Sequence, residues 1–219
     1  MDSSSNFDRT LELLGQADVL RHLDRASLEA LASPGRHEAL GRGQYLPGPD
    51  APAEVYVVLA GRVRLLWLTP DGHELTLDRR CAGKLVPIGT DGSDPPDSTL
   101  AVADADRTRV FHFDADRFMD VTMRQPGAAR ELAMLQRRHI REQYRARADL
   151  AFAPLPERLY RLLRLLSAAS EDGCVTETHE DLARMIGASR ERVTRALAKL
   201  RDDGLISFVP CGHRIRVLD

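Results

Sequence analysis

Arg190, Glu191 and Arg195 are the residues of this chain whose types and spacing could do chemistry on a partner. A guanidinium is a planar fork of donors that matches O6 and N7 of guanine, and a carboxylate can accept from N4 of cytosine. The two arginines stand five residues apart, a little over one helical turn, so both can address the same groove edge. Around them, residues 178–201 read as two short helices joined by a tight turn at Gly187-Ala188-Ser189. Thr178 is a good N-cap, and Asp181 three residues later makes an acidic variant of the capping box. Leu182, Ala183 and Ile186 form the apolar face of the first helix. Ser189 caps the second, whose apolar stripe is Val193, Ala196, Leu197 and Leu200. The opposite face carries Arg190, Glu191, Arg192, Thr194, Arg195, Lys199 and Arg201. A helix that is apolar behind and rich in arginine at its exposed N-terminal end suits the major groove of DNA. The alternative is a plain helical hairpin with a solvated charged face. Capped helices, a short turn and a following hairpin occurring together weigh against it.

Thr178, His179 and Ser189 lie at helix N-termini, where backbone N–H groups favour an anion, and are the candidates for phosphate contact. Arg192, Thr194 and Lys199 add further backbone candidates. Two alternatives stay open here. Glu191 could pair with a neighbouring arginine rather than a base. His179-Glu180-Asp181 resembles acid–base material, but acidic residues in a first helical turn favour the dipole, so capping is the preferred reading.

The elements that must hold these residues belong to a 219-residue chain, long enough for one large or two modest domains. Apolar residues make up 43%, charged residues 29%, and the formal net charge is -2, so whole-chain basicity gives no argument for nucleic acid. Any DNA-binding surface must be local, as in residues 190–201, where five Arg or Lys face a single Glu. No apolar run approaches the roughly 20 residues that cross a bilayer, and the start MDSSSNFDR lacks a basic region followed by an apolar core. No membrane contact and a cytoplasmic location are expected. Cys81, Cys174 and Cys211 are too dispersed for a metal-ligand cluster or a disulfide framework. There is no P-loop, GxSxG or HExxH, so no enzyme is expected.

Along the chain, the first residues are expected to be frayed. Leu11, Leu13, Leu14, Val19, Leu20, Leu23, Leu28 and Leu31 suggest short helices stopped by Pro34-Gly35. From about Arg36 the period changes. Strand-like runs at 45–46, 55–59, 63–68, 74–77, 85–88, 100–103 and 109–113 are separated by turn signals, which indicates a β sandwich or barrel. The breaker-rich loop 89–97 is expected to be exposed and mobile. A short helix at 116–123 precedes a long one from about 127 to 148. On the long helix, Ala129, Leu132, Ala133, Gln136, His139, Ile140 and Gln143 lie near a heptad stripe. Self-association along that stripe is the preferred reading; packing on the chain's own β domain is the alternative. Residues 150–156, LAFAPLP, contain two prolines and are expected to form the hinge. An amphipathic helix at 157–170 follows, with Leu159, Leu162, Leu163 and Leu166 inside and Arg158, Arg161 and Arg164 outside. After the two helices described first, runs 205–209 and 214–218 flank Pro210-Cys211-Gly212-His213 as a terminal β-hairpin.

This order of elements resembles the superfamily of the cyclic-AMP receptor protein and the fumarate–nitrate regulator. The most specific matching residues are Leu182-Ala183 with Ile186-Gly187, then Ala188-Ser189-Arg190-Glu191, Val193 and Arg195, and Leu205-Ile206 after Gly204. The run Val55-Tyr56-Val57-Val58-Leu59, followed by Gly61-Arg62-Val63-Arg64, supports the match in the β region, and Leu150-Ala151-Phe152 with Arg158-Leu159 at the hinge. The resemblance covers roughly residues 20–219. It implies an α+β fold with a cyclic-nucleotide-binding-type β-roll (jelly roll) at 1–125, a dimerisation helix at 126–149 and a winged helix-turn-helix at 150–219. It further implies a homodimeric transcription regulator on double-stranded DNA, working with RNA polymerase, more commonly as an activator. In relatives, Arg-Glu-x-x-x-Arg at this place reads a TGTGA-type half-site. The pattern is intact here as Arg190, Glu191 and Arg195, so TGTGA and its inverted repeat are expected.

The input end departs from the pattern. Cyclic-nucleotide binders of this kind carry a Gly-Glu pair for the ribose and, about ten residues later, an Arg-Ser pair for the cyclic phosphate. In residues 83–99, Gly83 begins the matching stretch, Pro87 or Ile88 stands where the Glu would be, and Asp97-Ser98 replaces Arg-Ser. An aspartate repels a phosphate, and loss of the arginine fork removes the main charge-assisted contact. The long-helix positions that would approach the adenine are Gln143 and Tyr144. Cyclic AMP bound in the family's usual manner is therefore not expected, and no cofactor is firmly assigned. Haem on His73 or Cys81, and thiol sensing by Cys81 among Arg79, Arg80 and Lys84, are the weaker alternatives. An interaction module that keeps the fold without binding DNA is the alternative of a different class.

Overall fold

A computed structural model describes residues 3–47, 52–69, 71–88, 99–170, 172–209 and 214–218. The chain divides into two compact units, Met1–His139 and Ile140–Asp219.

The first unit begins with α1 (Ser3–Leu14), a 3-10 turn at Val19–His22 and α2 (Arg25–Ala32). Helix α1 replaces the frayed start that the sequence suggests. Leu11 and Leu14 are buried in the core, and Arg25 pairs with Asp8 at 2.9 Å, which ties α1 to α2. Among the described residues seven strands follow: β1 (Arg36–Leu40), β2 (Glu54–Ala60), β3 (Arg62–Leu68), β4 (Glu74–Cys81), β5 (Leu85–Ile88), β6 (Thr99–Ala103) and β7 (Thr108–Asp114). They form two antiparallel sheets in the orders β1-β7-β2-β5 and β4-β3-β6. Strand β4 runs four residues past its expected end at Leu77. Asp78, Arg79 and Arg80 break the apolar alternation there, yet still pair with β3.

The near-continuous apolar run of β2 has a simple cause: both of its faces are covered. Tyr56 and Val58 join Val86 and Val110 against Val63, Leu65, Ala101 and Ala103 of the other sheet. Val55, Val57 and Leu59 point the other way, into a layer with Leu14, Leu20, Leu31, Phe111, Phe113 and Phe118. Gly61 makes the passage from β2 to β3 at φ +80°, and a Cβ there would lie 2.6 Å from Thr108 Oγ1. Helix α3 (Ala115–Met123), capped by Asp114 at 2.8 Å to the Arg117 N–H, closes the strand region.

Helix α4 spans Pro126–Phe152, and α5 follows as Leu155–Ala168. The link between them is thus Ala153-Pro154, shorter than the seven-residue hinge expected. The Ala153 N–H still reaches the Asp149 carbonyl at 3.0 Å, and only Pro154 interrupts the ladder. Leu132 corrects the expected self-association stripe. It is 9% exposed and packs with Ala128 in the first unit's own core, so the alternative reading holds for that residue.

The second unit contains the last part of α4, then α5, β8 (Cys174–Val175), α6 (His179–Ile186), α7 (Arg190–Asp202), β9 (Ile206–Val209) and β10 (Arg214–Val217). Its sheet has the order β8-β10-β9. Leu159 and Leu163 of α5, Leu182 and Ile186 of α6, and Val193, Leu197 and Leu200 of α7 share one core with Val175, Ile206 and Ile215. Both predicted apolar faces are buried as expected. Among the described residues, no helix is long and apolar enough to cross a membrane.

Candidate nucleic-acid interface

Two caps and one glycine shape the α6–α7 pair. The Thr178 hydroxyl accepts from the Asp181 N–H at 3.1 Å, and the Asp181 carboxylate accepts from the Thr178 N–H at 3.3 Å, a reciprocal capping box. Gly187 ends α6 in the left-handed region, φ 65° and ψ 49°, where a side chain would be strained. The chain then reverses within two residues, and Ser189 opens α7 by accepting from the Arg192 N–H at 3.4 Å.

With Val193, Ala196, Leu197 and Leu200 in the core, α7 turns Arg190, Glu191, Arg192, Thr194, Arg195 and Lys199 to solvent. Among the described residues, the guanidinium groups of Arg190 and Arg195 have no ion-pair partner. Glu191 does not pair with a neighbouring arginine within 4 Å either. Its carboxyl is held below the usual carboxylate range first by a hydrogen bond from its own N–H. The Ser189 hydroxyl is the second cause, and the positive charges of Arg190 and Arg195 add to it. Glu191 is therefore an exposed, ionised acceptor. The outward surface of α7 offers two free forks and one carboxylate, the donor and acceptor set that base edges require.

The backbone candidates divide. Thr178 and Ser189 are exposed at their helix starts. His179 is half-buried, and its Nδ1 lies 3.0 Å from Thr194 Oγ1, so two expected phosphate contacts are bonded to each other. Arg192 and Lys199 are exposed on the flank away from that pair.

One supporting residue escapes the sequence reading. Arg158 was expected on the solvent side of its helix. It is half-buried instead, with Nη1 donating to the carbonyl of Ile186 at 3.3 Å. Its place four residues before Leu162, beside the apolar stripe, was the available signal. Arg161 does lie outside; it pairs with Asp149 at 2.5 Å and with Glu157.

The residues of the expected effector region fall on both compact units and partly outside the described residues. Gly83 has a structural task at φ +81°: its N–H donates to the Val58 carbonyl at 2.9 Å and its carbonyl accepts from the Asp18 N–H at 3.1 Å. Lys84 beside it pairs with Asp18 at 3.0 Å. Pro87 and Ile88 lie in β5, opposite Val55 and Glu54. Asp97 and Ser98 are outside the described residues, as is the loop 89–97. Gln143 is half-buried and Tyr144 is 65% exposed. Of the remaining helix positions, Ala129 and His139 are half-buried, while Gln136 and Ile140 are exposed. Cys81 is exposed and Cys174 buried. Among the described residues, no three His, Cys, Asp or Glu side chains are grouped to hold a metal ion.

Comparison with known proteins agrees with this geometry. Residues 157–219 match the Crp-like helix-turn-helix domain. The chain is 31% identical over 171 residues to the cyclic AMP receptor protein of Thermus thermophilus, covering 76% of this chain and 77% of that protein. It is 26% identical over 207 residues to a CRP-like cAMP-activated global transcriptional regulator of Mycobacterium tuberculosis, covering 89% and 90%. A solved transcriptional regulator of the crp/fnr family from Eubacterium rectale superposes with a TM-score of 0.72 at 17% identity, covering 94% of this chain and 95% of that one, which speaks for the fold alone. These relatives are transcription regulators and not enzymes. With a β-roll, a long helix and a winged helix-turn-helix in this order, the chain belongs to the Crp/Fnr family of transcription regulators.

Proposed function

We propose that the chain acts as a homodimer on a palindromic duplex whose half-sites are of the TGTGA type, about one helical turn apart. Arg190 and Arg195 read guanine edges and Glu191 accepts from cytosine. Thr178, His179, Ser189, Arg192, Thr194 and Lys199 lie along the phosphates and set the register. Exposed Ile140 on α4 contributes to self-association, together with Ala129, Gln136, His139 and Gln143. Residues 1–125 serve as the sensor-type domain, 126–149 as the dimer helix and 150–219 as the reading domain. The protein works as an activator, with RNA polymerase as its partner, in the cytoplasm. The observation that carries the reading is the exposure of Arg190, Glu191 and Arg195, with neither arginine in an ion pair among the described residues, on a helix whose other face is locked in a core.

The input is proposed to operate without the usual cyclic-AMP contacts, because Pro87, Ile88 and Asp97-Ser98 supply neither the carboxylate nor the arginine fork. A second reading, dependence on cyclic AMP through other contacts, draws support from the relatives in Thermus thermophilus and Mycobacterium tuberculosis, which are described by that nucleotide. Selection from a random duplex pool, with and without cyclic AMP, tests both. The first reading expects the same inverted repeat, rich in G and C at the Arg190 and Arg195 positions, in both arms. Enrichment in the cyclic-AMP arm only establishes the second. A pool without G or C preference in either arm removes the base-readout proposal.

A further inference from the structure

Arg158 is half-buried between α5 and the end of α6. It sits one turn into α5, where its own N–H donates to the Pro154 carbonyl at 3.1 Å. Its side chain crosses to the far end of α6 and donates to Ile186 O at 3.3 Å. Ile186 is the last residue of α6, and the turn through Gly187 to Ser189 starts from it.

The last carbonyls of a helix lack intrahelical donors and carry the negative end of its dipole. At the end of α6, the Ala183 carbonyl is served twice, by the Gly187 and Ala188 N–H groups. The Ile186 carbonyl is served by Arg158. Among the described residues, no carboxylate pairs with Arg158, and its Nε is buried without a hydrogen-bond partner. Desolvating a guanidinium without a counter-charge is unfavourable, so the α6 terminus is the compensation that holds this side chain in place.

We infer that Arg158 is a positioning residue for base readout. It pins the end of α6 to α5, and so fixes where the Gly187–Ser189 turn delivers Arg190 and Glu191. Base contacts demand placement within about 0.5 Å, whereas contacts to phosphates spread over flexible Lys and Arg stems tolerate more. Loosening the α6 end therefore lowers sequence discrimination more than general DNA affinity. This inference rests on the reading of Arg190, Glu191 and Arg195 given above.

The test compares the full chain with its Arg158→Met and Arg158→Lys variants. Methionine keeps an apolar stem but has no donor; lysine restores a cationic donor to the carbonyl. Affinities are measured for a duplex selected by the wild type and for a scrambled duplex of equal length, alongside the melting temperature. The expected result is a loss of about tenfold in the specific-to-scrambled ratio for Arg158→Met, with scrambled-duplex affinity kept and most of the ratio recovered by Arg158→Lys. A ratio unchanged in Arg158→Met overturns the inference while leaving the readout proposal standing. Equal losses on both duplexes, tracking the melting temperature, overturn it too, because they reduce Arg158 to a fold-stability residue. If Arg158→Met fails to fold, Arg158→Gln takes its place: a specific-to-scrambled ratio below those of the wild type and Arg158→Lys supports positioning, and a ratio equal to the wild type overturns it. A wild type without any preference overturns both proposals.

Discussion

The ring of His179 and the hydroxyl of Thr194 meet at 3.0 Å, joining the first residue of α6 to the second turn of α7. The same hydroxyl donates to the Arg190 carbonyl one turn back, also at 3.0 Å. A hydroxyl has one proton to give, so His179 Nδ1 is the donor in this pair. Thr194 thereby holds two helices in register on the surface proposed to face DNA. Thr194→Val keeps the branched shape and removes both bonds. It is expected to lower stability by about 1 kcal/mol, read as a shift of the urea midpoint without a change in slope. An unmoved midpoint means that the contact contributes nothing to the folded state.

On the proposed reading Arg190 and Arg195 contact bases and Lys199 a phosphate, and salt separates the two kinds of contact. Arg190→Ala or Arg195→Ala is expected to cost about 1–3 kcal/mol on the selected duplex and to relax the preference at one base pair. Lys199→Ala is expected to weaken all duplexes alike and to reduce the slope of log affinity against log salt by roughly one unit. Uniform weakening by the arginine variants, measured by fluorescence anisotropy, would reassign them to the phosphates.

What was legible in the sequence and what was not follows from where the determining forces lie. The α6–α7 pair was readable because its caps, turn and apolar faces are local: Thr178, Asp181, Gly187 and Ser189 each act within four residues. Strands β2 to β7 were readable through period and turn signals, whereas β1 carries no apolar alternation and was not read, and the expected run at 45–46 is only an isolated bridge from Tyr45 to Val102. Arg158 and Leu132 were not. Each sits on a helix where spacing allows two faces, and the choice depends on a partner far along the chain: Ile186 for Arg158, and the core containing Phe111 and Phe118 for Leu132. The end of β4 was missed because Asp78, Arg79 and Arg80 are polar yet paired. Arg80 forms an ion pair with Asp78 at 2.6 Å, and Arg79 with Asp104 at 3.3 Å.

The proposed self-association concerns the part of α4 that stays in solvent. Ile140 is 50% and Tyr144 65% exposed, four residues apart and therefore on one face. Single exposed apolar residues are ordinary, but two on one helical stripe of a long charged helix fit the proposed seam. Ile140→Glu places a charge in that seam and is expected to shift the protein toward monomer by at least about tenfold in dissociation constant, seen by sedimentation. A variant that sediments as the wild type would move the dimer contact elsewhere.

Alkaline pH acts on the interior of the β-roll through Tyr56. Tyr56 is fully buried on β2, stacked on His112 with ring centres 4.9 Å apart, and its hydroxyl donates to Glu54 at 2.5 Å. Glu54 also meets His112 Nδ1 at 3.1 Å. Burial raises the Tyr56 pKa well above the ordinary tyrosine range, helped by that hydrogen bond and by the negative charges of Glu54 and Glu38. The folded state thus holds the phenol proton more tightly than the unfolded chain, which releases it near pH 10 or so. Stability from this group is complete below that pH and falls as the pH rises through it, because unfolding then releases a proton. Tyr56→Phe removes the titration but also strips Glu54 of a donor. It is expected to cost about 1 kcal/mol at neutral pH and to flatten the alkaline decline. Urea midpoints for both proteins between roughly pH 8 and pH 11 check the sign. Parallel curves would mean that Tyr56 ionises in the folded state as readily as in the unfolded one, against its burial and its bond to Glu54.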